Sequence, residues 1–446
     1  MSKGKKALKV LGIIFGSLIA LIIMLNIILN IVFGIQLRNK IAELKAQGKP
    51  MTIAEIVPLP VPDKDNAAIL YNKAFALMGS TEGQISEMIK TIDFSDISGW
   101  TDEQKQQISQ IVNSRDTQYI YELLEEGSQK PKCNFNHKYE KGFEMLLPHL
   151  SPMRNTTRLL CTKAILEAES GNASKAFDTL LIALKISNHL KDEPTLVSQL
   201  VRIACDGIII ECIENMSDSK GIPVEKATLI MNELSTHQGV EPFIKGTDID
   251  RVGLGMWALE RILRGKPKDL RELIDATSPS SMPWAVIISF LGKPIFKKDF
   301  ISYLTLMSKA QDSYHQPYYK IVQETTKYES IPKYCIFTNM LLPAIGRVRE
   351  MQVRHQAYID ICRTGLALKI YKAKNGNYPG KLENLVPEFL KEVPTDPFSG
   401  ENLKYSCHIR GFELYSIGPN MQDDYGTDAK EKKWEGDYDI VWESKN

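Results

Sequence analysis

Residues Leu159–Pro194 read LLCTKAILEAESGNASKAFDTLLIALKISNHLKDEP. On both sides of Ser170, Gly171 and Asn172 the apolar residues recur at three- and four-residue spacing, the period of an amphipathic helix and not the alternation of a strand. The pattern breaks at Ser170, Gly171 and Asn172, so the stretch reads as two amphipathic helices joined there. Ala176 and Ala183, two turns apart, let the helices approach closely, and Pro194 closes the second one.

The same period extends outward from this hairpin. Ala67, Leu70, Tyr71, Ala74, Phe75 and Met78 form one helical stripe. Leu341, Ile345, Val348, Met351, Tyr358, Cys362, Leu366 and Ile370 form another, on one long helix over Asn339 to Asn375 with Gly376 just past its end; His355 falls on or beside it and reads as a core histidine. Strand-like runs are confined to the C-terminal end, in LKYSCHI, GFELYSI and IVW. The expected class is α+β, mostly helical. Residues 1–40 form a stub and an anchor, 41–65 a connector containing VPLPVPD, 66–338 an α-helical domain, and 339–446 the long helix with a small head.

From Val10 to Leu37 no residue is charged. At 1.5 Å per residue such a helix exceeds the roughly 30 Å hydrocarbon core, and the run is far longer than the apolar region of a cleaved signal peptide. It is expected to be one uncleaved span. Lys3, Lys5, Lys6 and Lys9 precede it, and Arg38, Lys40, Lys45 and Lys49 follow it at the start of a long domain that translocates largely regardless of charge. The expectation is therefore a single-pass protein with its N-terminus in the cytoplasm and its bulk outside the membrane. The short apolar run Pro283 to Gly292 cannot cross and reads as a buried helix.

Composition removes several classes. With 43% hydrophobic and 24% charged residues the chain is of ordinary globular type, and 55 Lys plus Arg against 54 Asp plus Glu leave a net charge of +1, without the basic footprint of a nucleic-acid partner. The seven cysteines show no C-x-x-C pair. No nucleophile elbow, H-E-x-x-H, phosphate loop or dinucleotide fingerprint is present. Ser217 and Lys220 have a nucleophile-pair spacing that chance explains, Asp248 and Asp250 read as a capped helix start, and Cys133 with His137 sit in a polar, loop-like stretch.

The hairpin at 159–194 resembles a tetratricopeptide unit, on Ala176, Ala183 and Pro194, although the Trp and Tyr of that motif are missing and one unit only is covered. The last hundred residues resemble the globular head of type II secretion major pseudopilins. The resemblance rests on Leu368, Tyr371, Asn375, Gly376, Tyr378, Pro379, Leu382, Leu385, Pro394, Asp396, Pro397, Leu414, Tyr415, Ser416 and Gly418. It implies a head that folds by itself and a calcium site in the last loop. Asp437 and Asp439 match the acidic pair that would ligate calcium, helped by Asn420 and Asp423, with Asp424 and Asp428 in the same loop. The departures are the missing Phe-Thr-x-x-Glu segment at the anchor and the long helical insertion. The whole arrangement also resembles uncharacterised membrane-anchored envelope proteins of planctomycete-type bacteria. These likenesses together imply a non-catalytic envelope protein that binds a partner protein or a secretion or surface assembly. The alternative is a membrane-anchored enzyme, such as a hydrolase, whose residues come from separate helices.

Overall fold

A computed structural model describes residues 3–80, 85, 100–219, 221–264, 291–325, 331–409, 411–427 and 438–444. The protein is mostly helical, with one long apolar helix at the N-terminus and a small three-stranded sheet at the C-terminus. The first helix, α1 (Lys3–Ala46), is long and apolar enough from Leu8 onward to cross a membrane, which is compatible with a single anchor or a signal sequence. Leu8, Leu11, Ile14, Phe15, Leu21 and Met24 are exposed along it.

The helix does not stop at the end of its apolar run. Its last turns enter the body, where Leu37 and Leu44 are buried with Phe243, Phe300, Tyr303, Leu304 and Met307. They pack on the helix Lys293–Ser313. Asn26 donates to the Leu291 carbonyl at 2.9 Å, Lys297 to the Asn30 carbonyl at 3.1 Å, and Lys49 pairs with Asp312 at 2.7 Å. The proline connector is extended along the body, and Asn134 Nδ2 donates to the Leu59 carbonyl at 3.2 Å.

Before the hairpin come α2 (Ala67–Ser80), α3 (Asp102–Val112) and α4 (Arg115–Ser128). The hairpin is α5 (Leu150–Glu169) and α6 (Ala173–Asn188). Gly171 turns the chain at φ 85°, and the Asn172 side chain caps α6 by accepting from the Lys175 amide. Ala176 and Ala183 have no exposed surface, as the close approach of the two helices demands. Next come α7 (Leu196–Ser219), α8 (Val224–His237), α9 (Glu241–Ile249) and α10 (Trp257–Arg264), then α11 (Lys293–Ser313) and α12 (Tyr318–Thr325). Asp248 and Asp250 do not begin a helix: α9 passes directly into a π-helical turn, Asp250–Met256. Asp248 there accepts from Arg251 and from Gln311, each at 2.7 Å. Capping residues and residues that hold a buried arginine share a composition, which is why the sequence misplaced them. All but the last two residues of the run Pro283 to Gly292 lie outside the described residues.

The long helix α13 (Ile336–Asn375) ends on Gly376 in the left-handed region at φ 83°. Its buried face differs in part from the expected stripe. Val348, Cys362, Leu366 and Ile370 are inside, whereas Met351 is 40% exposed and Val353, Ala357 and Ile361 are buried instead. Burial on more than one side follows from its neighbours, since α7, α8, α11 and the sheet all pack on α13. The sheet is antiparallel in the order β1 (Lys404–His408), β2 (Gly411–Ser416), β3 (Ile440–Ser444), with Tyr405 opposite Leu414 and Leu414 opposite Trp442. Asp396, in the Pro-x-Asp-Pro turn, closes the module by accepting from Ser416 Oγ at 2.7 Å and the Ile417 amide at 3.1 Å.

One apolar cluster runs from α2 through the hairpin and α7 to Leu366, Phe412, Leu414 and Trp442. Asp218, near the end of α7, accepts from Ser444 Oγ at 2.7 Å and from Trp442 Nε1 at 3.2 Å, and it pairs with Lys369. The head and the helical body therefore share a core and a charge network.

Candidate functional site

The residues DEPTLVSQ, Asp192–Gln199, build a turn around a buried carboxylate. Thr195 Oγ1 accepts from the Ser198 amide at 3.1 Å and caps α7, while Gln199 Nε2 donates to the Glu193 and Leu190 carbonyls at 2.8 Å each. This fixes Glu193 with its side chain inward, 5% exposed, and Ser198 Oγ donates to its Oε2 at 2.6 Å.

Two histidines meet that carboxylate. His149 directly precedes α5, and its Nε2 lies 3.0 Å from Glu193 Oε2; His137 Nε2 lies 3.3 Å from Oε1. A carboxylate only accepts, so both Nε2 atoms donate to it. The segment carrying His137 is pinned by Asn66, whose Oδ1 accepts from the Asn134 amide at 2.9 Å and whose Nδ2 donates to the Asn134 carbonyl at 3.0 Å. Asn136 takes φ 55° just before it. The rings are stacked: Phe135 on His149 with centroids 4.1 Å apart, and His149 beside His137 at 4.5 Å. Burial pushes the Glu193 carboxyl up, but the hydrogen bonds from His137 and His149 outweigh it and bring the pKa to about 2. Glu193 is thus an anion throughout the physiological range.

Glu193 also lines a cavity of about 550 Å³. The proline connector Pro58–Pro62 makes one wall, and Cys133, Tyr139, Asp192 and Lys245 contribute to the rest. The Cys133 thiol is pushed well up by burial and by the Glu193 and Asp192 charges, so it is no thiolate nucleophile. The expected loop position of Cys133 and His137 is observed, but His137 turns to Glu193. Sequence reasoning did not single out His149 or Glu193. His137 and Glu193 are separated by 56 residues, and no linear spacing rule joins a loop, a helix start and an interhelical turn.

A second buried carboxylate lies deeper. Asp206 on α7 is fully buried; its Oδ2 accepts from His237 Nδ1 at 2.8 Å and His355 Nε2 at 2.7 Å, and its Oδ1 accepts from Ser187 Oγ at 2.6 Å. Arg202, also fully buried, donates to Gln199 Oε1 at 2.9 Å and to the His237 carbonyl at 3.0 Å. Burial raises the Asp206 carboxyl, but the charge of His237 and the two imidazole hydrogen bonds outweigh it and hold it far below the usual range. For His237 burial is outweighed by the Asp206 charge, so its pKa is raised; for His355 burial wins and its pKa is lowered. The carboxylate thus favours the charged form of His237 more than that of His355. The network joins α6, α7, α8 and α13.

Of the expected calcium ligands, Asp437 lies outside the described residues, as does Asp428. Asp439 is buried and accepts from the Gly426 amide at 2.8 Å and the Asp424 amide at 3.3 Å. Asn420 Nδ2 donates to Asp424 at 2.7 Å, and Asp423 accepts from Tyr415 Oη at 3.1 Å. The loop brings Asp439, Asp424 and Asn420 together, with Asp423 turned toward Tyr415. Burial, together with the charges of Asp424 and Asp423, pushes the Asp439 carboxyl up to about 6 against the two amide hydrogen bonds. Ser217 is buried, and Lys220 lies outside the described residues.

The chain matches no protein-family model, no curated protein and no solved structure.

Proposed function

We propose that this is a non-catalytic, single-span protein of a bacterial inner membrane, with its N-terminus in the cytoplasm and its bulk in the periplasm or beyond. It binds a partner protein or a secretion or surface assembly through its helical domain and a pseudopilin-like head. The observation that carries the reading is the uncovered apolar surface of α1 joined to turns that are locked into the body. Exposed surface of that extent costs about 25 cal/mol per Å² in water, which a bilayer removes. The anchor is therefore coupled to the body without a flexible tether, and the body is held at the membrane face. Protease added to intact spheroplasts is expected to digest the body and the head. Protection of the head in spheroplasts, with digestion after lysis, would place it in the cytoplasm and overturn the orientation.

The pseudopilin likeness is supported by the order of a long helix, a left-handed glycine, the Leu382–Leu385 turn and three antiparallel strands. On this reading calcium sits in the last loop, on Asp439 and Asp437 with Asn420, Asp423 and backbone carbonyls. A ligand bound only by the folded state adds about 2.7 kcal/mol at a hundredfold excess over Kd. The detergent-solubilised protein is expected to melt higher in millimolar calcium than in chelator, and Asp439→Ala to abolish the difference. Identical melts of the unaltered protein in both buffers would leave the loop held by its own hydrogen bonds alone.

The second reading, an enzyme, is favoured by one feature, the Glu193 carboxylate on the wall of a cavity with two histidines behind it. A stoichiometric partner recovered from solubilised membranes supports the binding protein. Turnover that is abolished by Glu193→Gln supports the enzyme.

A further inference from the structure

We infer that His137, His149 and Glu193 form a binding site for a divalent transition metal ion of the zinc type, with its remaining coordination position turned to the cavity behind the proline connector. This goes beyond the proposed function and stands whether or not the protein binds a partner or carries out a reaction. His137 Nε2, His149 Nε2 and a Glu193 carboxylate oxygen all lie within 4.8 Å of one another, and both nitrogens approach that carboxylate at 3.0–3.3 Å. Ligands of a tetrahedral ion at about 2.0–2.2 Å stand roughly 3.3–3.6 Å apart, so small side-chain movements suffice.

The chemistry of the donors is selective. Two imidazoles and one carboxylate suit zinc and its first-row neighbours, whereas calcium and magnesium take oxygen sets. The arrangement is compact as well, with the two imidazole rings 4.5 Å apart and tilted by 31° on the same carboxylate. An ion bound at both Nε2 atoms requires each ring to carry its N–H on Nδ1, so the tautomer that donates to Glu193 gives way to the other one. His149 Nδ1 has no partner among the described residues and is free to take that proton. The outer shell is partly in place as well, because Ser198 Oγ at 2.6 Å orients the glutamate and Thr195 Oγ1 lies 2.7 Å from that hydroxyl. Glu193 lines the cavity, which gives the ion a route in and leaves room for a water or ligand atom as fourth donor.

The competing explanation is a metal-free ion pair that merely closes the turn before α7. The two are separated with the full-length protein in detergent, stripped with chelator and titrated with zinc, and in parallel with cobalt(II) as a spectroscopic probe. One zinc per chain is expected to bind, with cobalt giving the intense visible bands of a four-coordinate nitrogen and oxygen site. His137→Ala and Glu193→Gln are expected to weaken zinc binding at least a hundredfold, and Ser198→Ala by about 10–100-fold through loss of the orienting hydrogen bond. Absence of stoichiometric zinc binding, weak six-coordinate cobalt bands, or unchanged affinity in folded His137→Ala and Glu193→Gln proteins would overturn the site. Should those variants fail to fold, the cobalt spectrum of the unaltered protein decides alone.

Discussion

Asp206→Asn is expected to lower the stability of the folded body by about 3–5 kcal/mol, because the buried Arg202 guanidinium loses its nearby anion and the two buried imidazoles lose their charged acceptor. Total stabilities are typically about 5–15 kcal/mol, so this is roughly a fifth or more of what holds the body together. The pH dependence tells this loss apart from a packing defect. In the unaltered protein the depressed carboxyl of Asp206 contributes stability that is complete above its unfolded value of about 3.9 and is lost as pH falls through the folded value. The raised pKa of His237 contributes stability that is complete below about 6.5 and is lost as pH rises through the folded value. The lowered pKa of His355 acts in the opposite direction over the same range, so the two histidines partly cancel around neutrality. With Asn at 206 the attraction is gone and burial beside Arg202 disfavours both imidazolium forms, leaving only Glu233, 3.7 Å from His237 Nε2, to favour a charge there. The variant should therefore gain stability from about pH 5 to about pH 8 more steeply than the unaltered protein. Urea midpoints at the two pH values measure this. A variant equally destabilised at both would show that His237 carries no charge in the folded protein.

How much of this was legible in the sequence follows from the distance over which each signal acts. The hairpin was readable because what makes it lies within Leu159–Asn188: the period, the Ser170 to Asn172 break and the two buried alanines; Pro194, expected to close the second helix, instead lies past a 3-10 turn, His189–Asp192, that follows its end at Asn188. The end of α13 at Gly376 and the first two strands were readable for the same reason, each being set by a few neighbouring residues. The Glu193 and Asp206 clusters were not. Each gathers residues from three or more elements, and a histidine such as His149 or His237 looks the same in sequence whether it meets a carboxylate or solvent. Asp248 failed differently, since its local signal was real and a buried arginine used the same residue. The anchor was legible as an apolar run, but its continuation into the body depends on Leu37 and Leu44 finding Phe243 and Phe300 far along the chain.

The seam between head and body supplies the second large effect. Gly365 lies in the interior of α13, where a glycine costs about 1 kcal/mol relative to alanine, so on helix propensity alone Gly365→Ala should stabilise. The sheet reverses that sign. A Cβ at this position would stand 2.0 Å from Cε3 and Cζ3 of Trp442, whose ring is 2% exposed and packs edge-on against Phe412 with centroids 5.6 Å apart. The indole cannot give way without pulling its Nε1 from Asp218, and Asp218 is also the partner of Lys369 and Ser444. Overpacking of this kind costs about 1–3 kcal/mol and a hydrogen bond to a charged group about 1.5–3, so a loss of roughly 3–5 kcal/mol is expected. Gly346, on the same helix but exposed and with open space at its Cβ position, provides the control, and Gly346→Ala should raise stability by about 0.5–1 kcal/mol. Because head and body share one apolar cluster, the Gly365→Ala loss should appear in the single melt of the whole body and not as a separate early transition of the sheet. An early, separate transition in that variant would mean that the sheet unfolds by itself, and equal effects of the two substitutions would mean that Trp442 does not rest on α13.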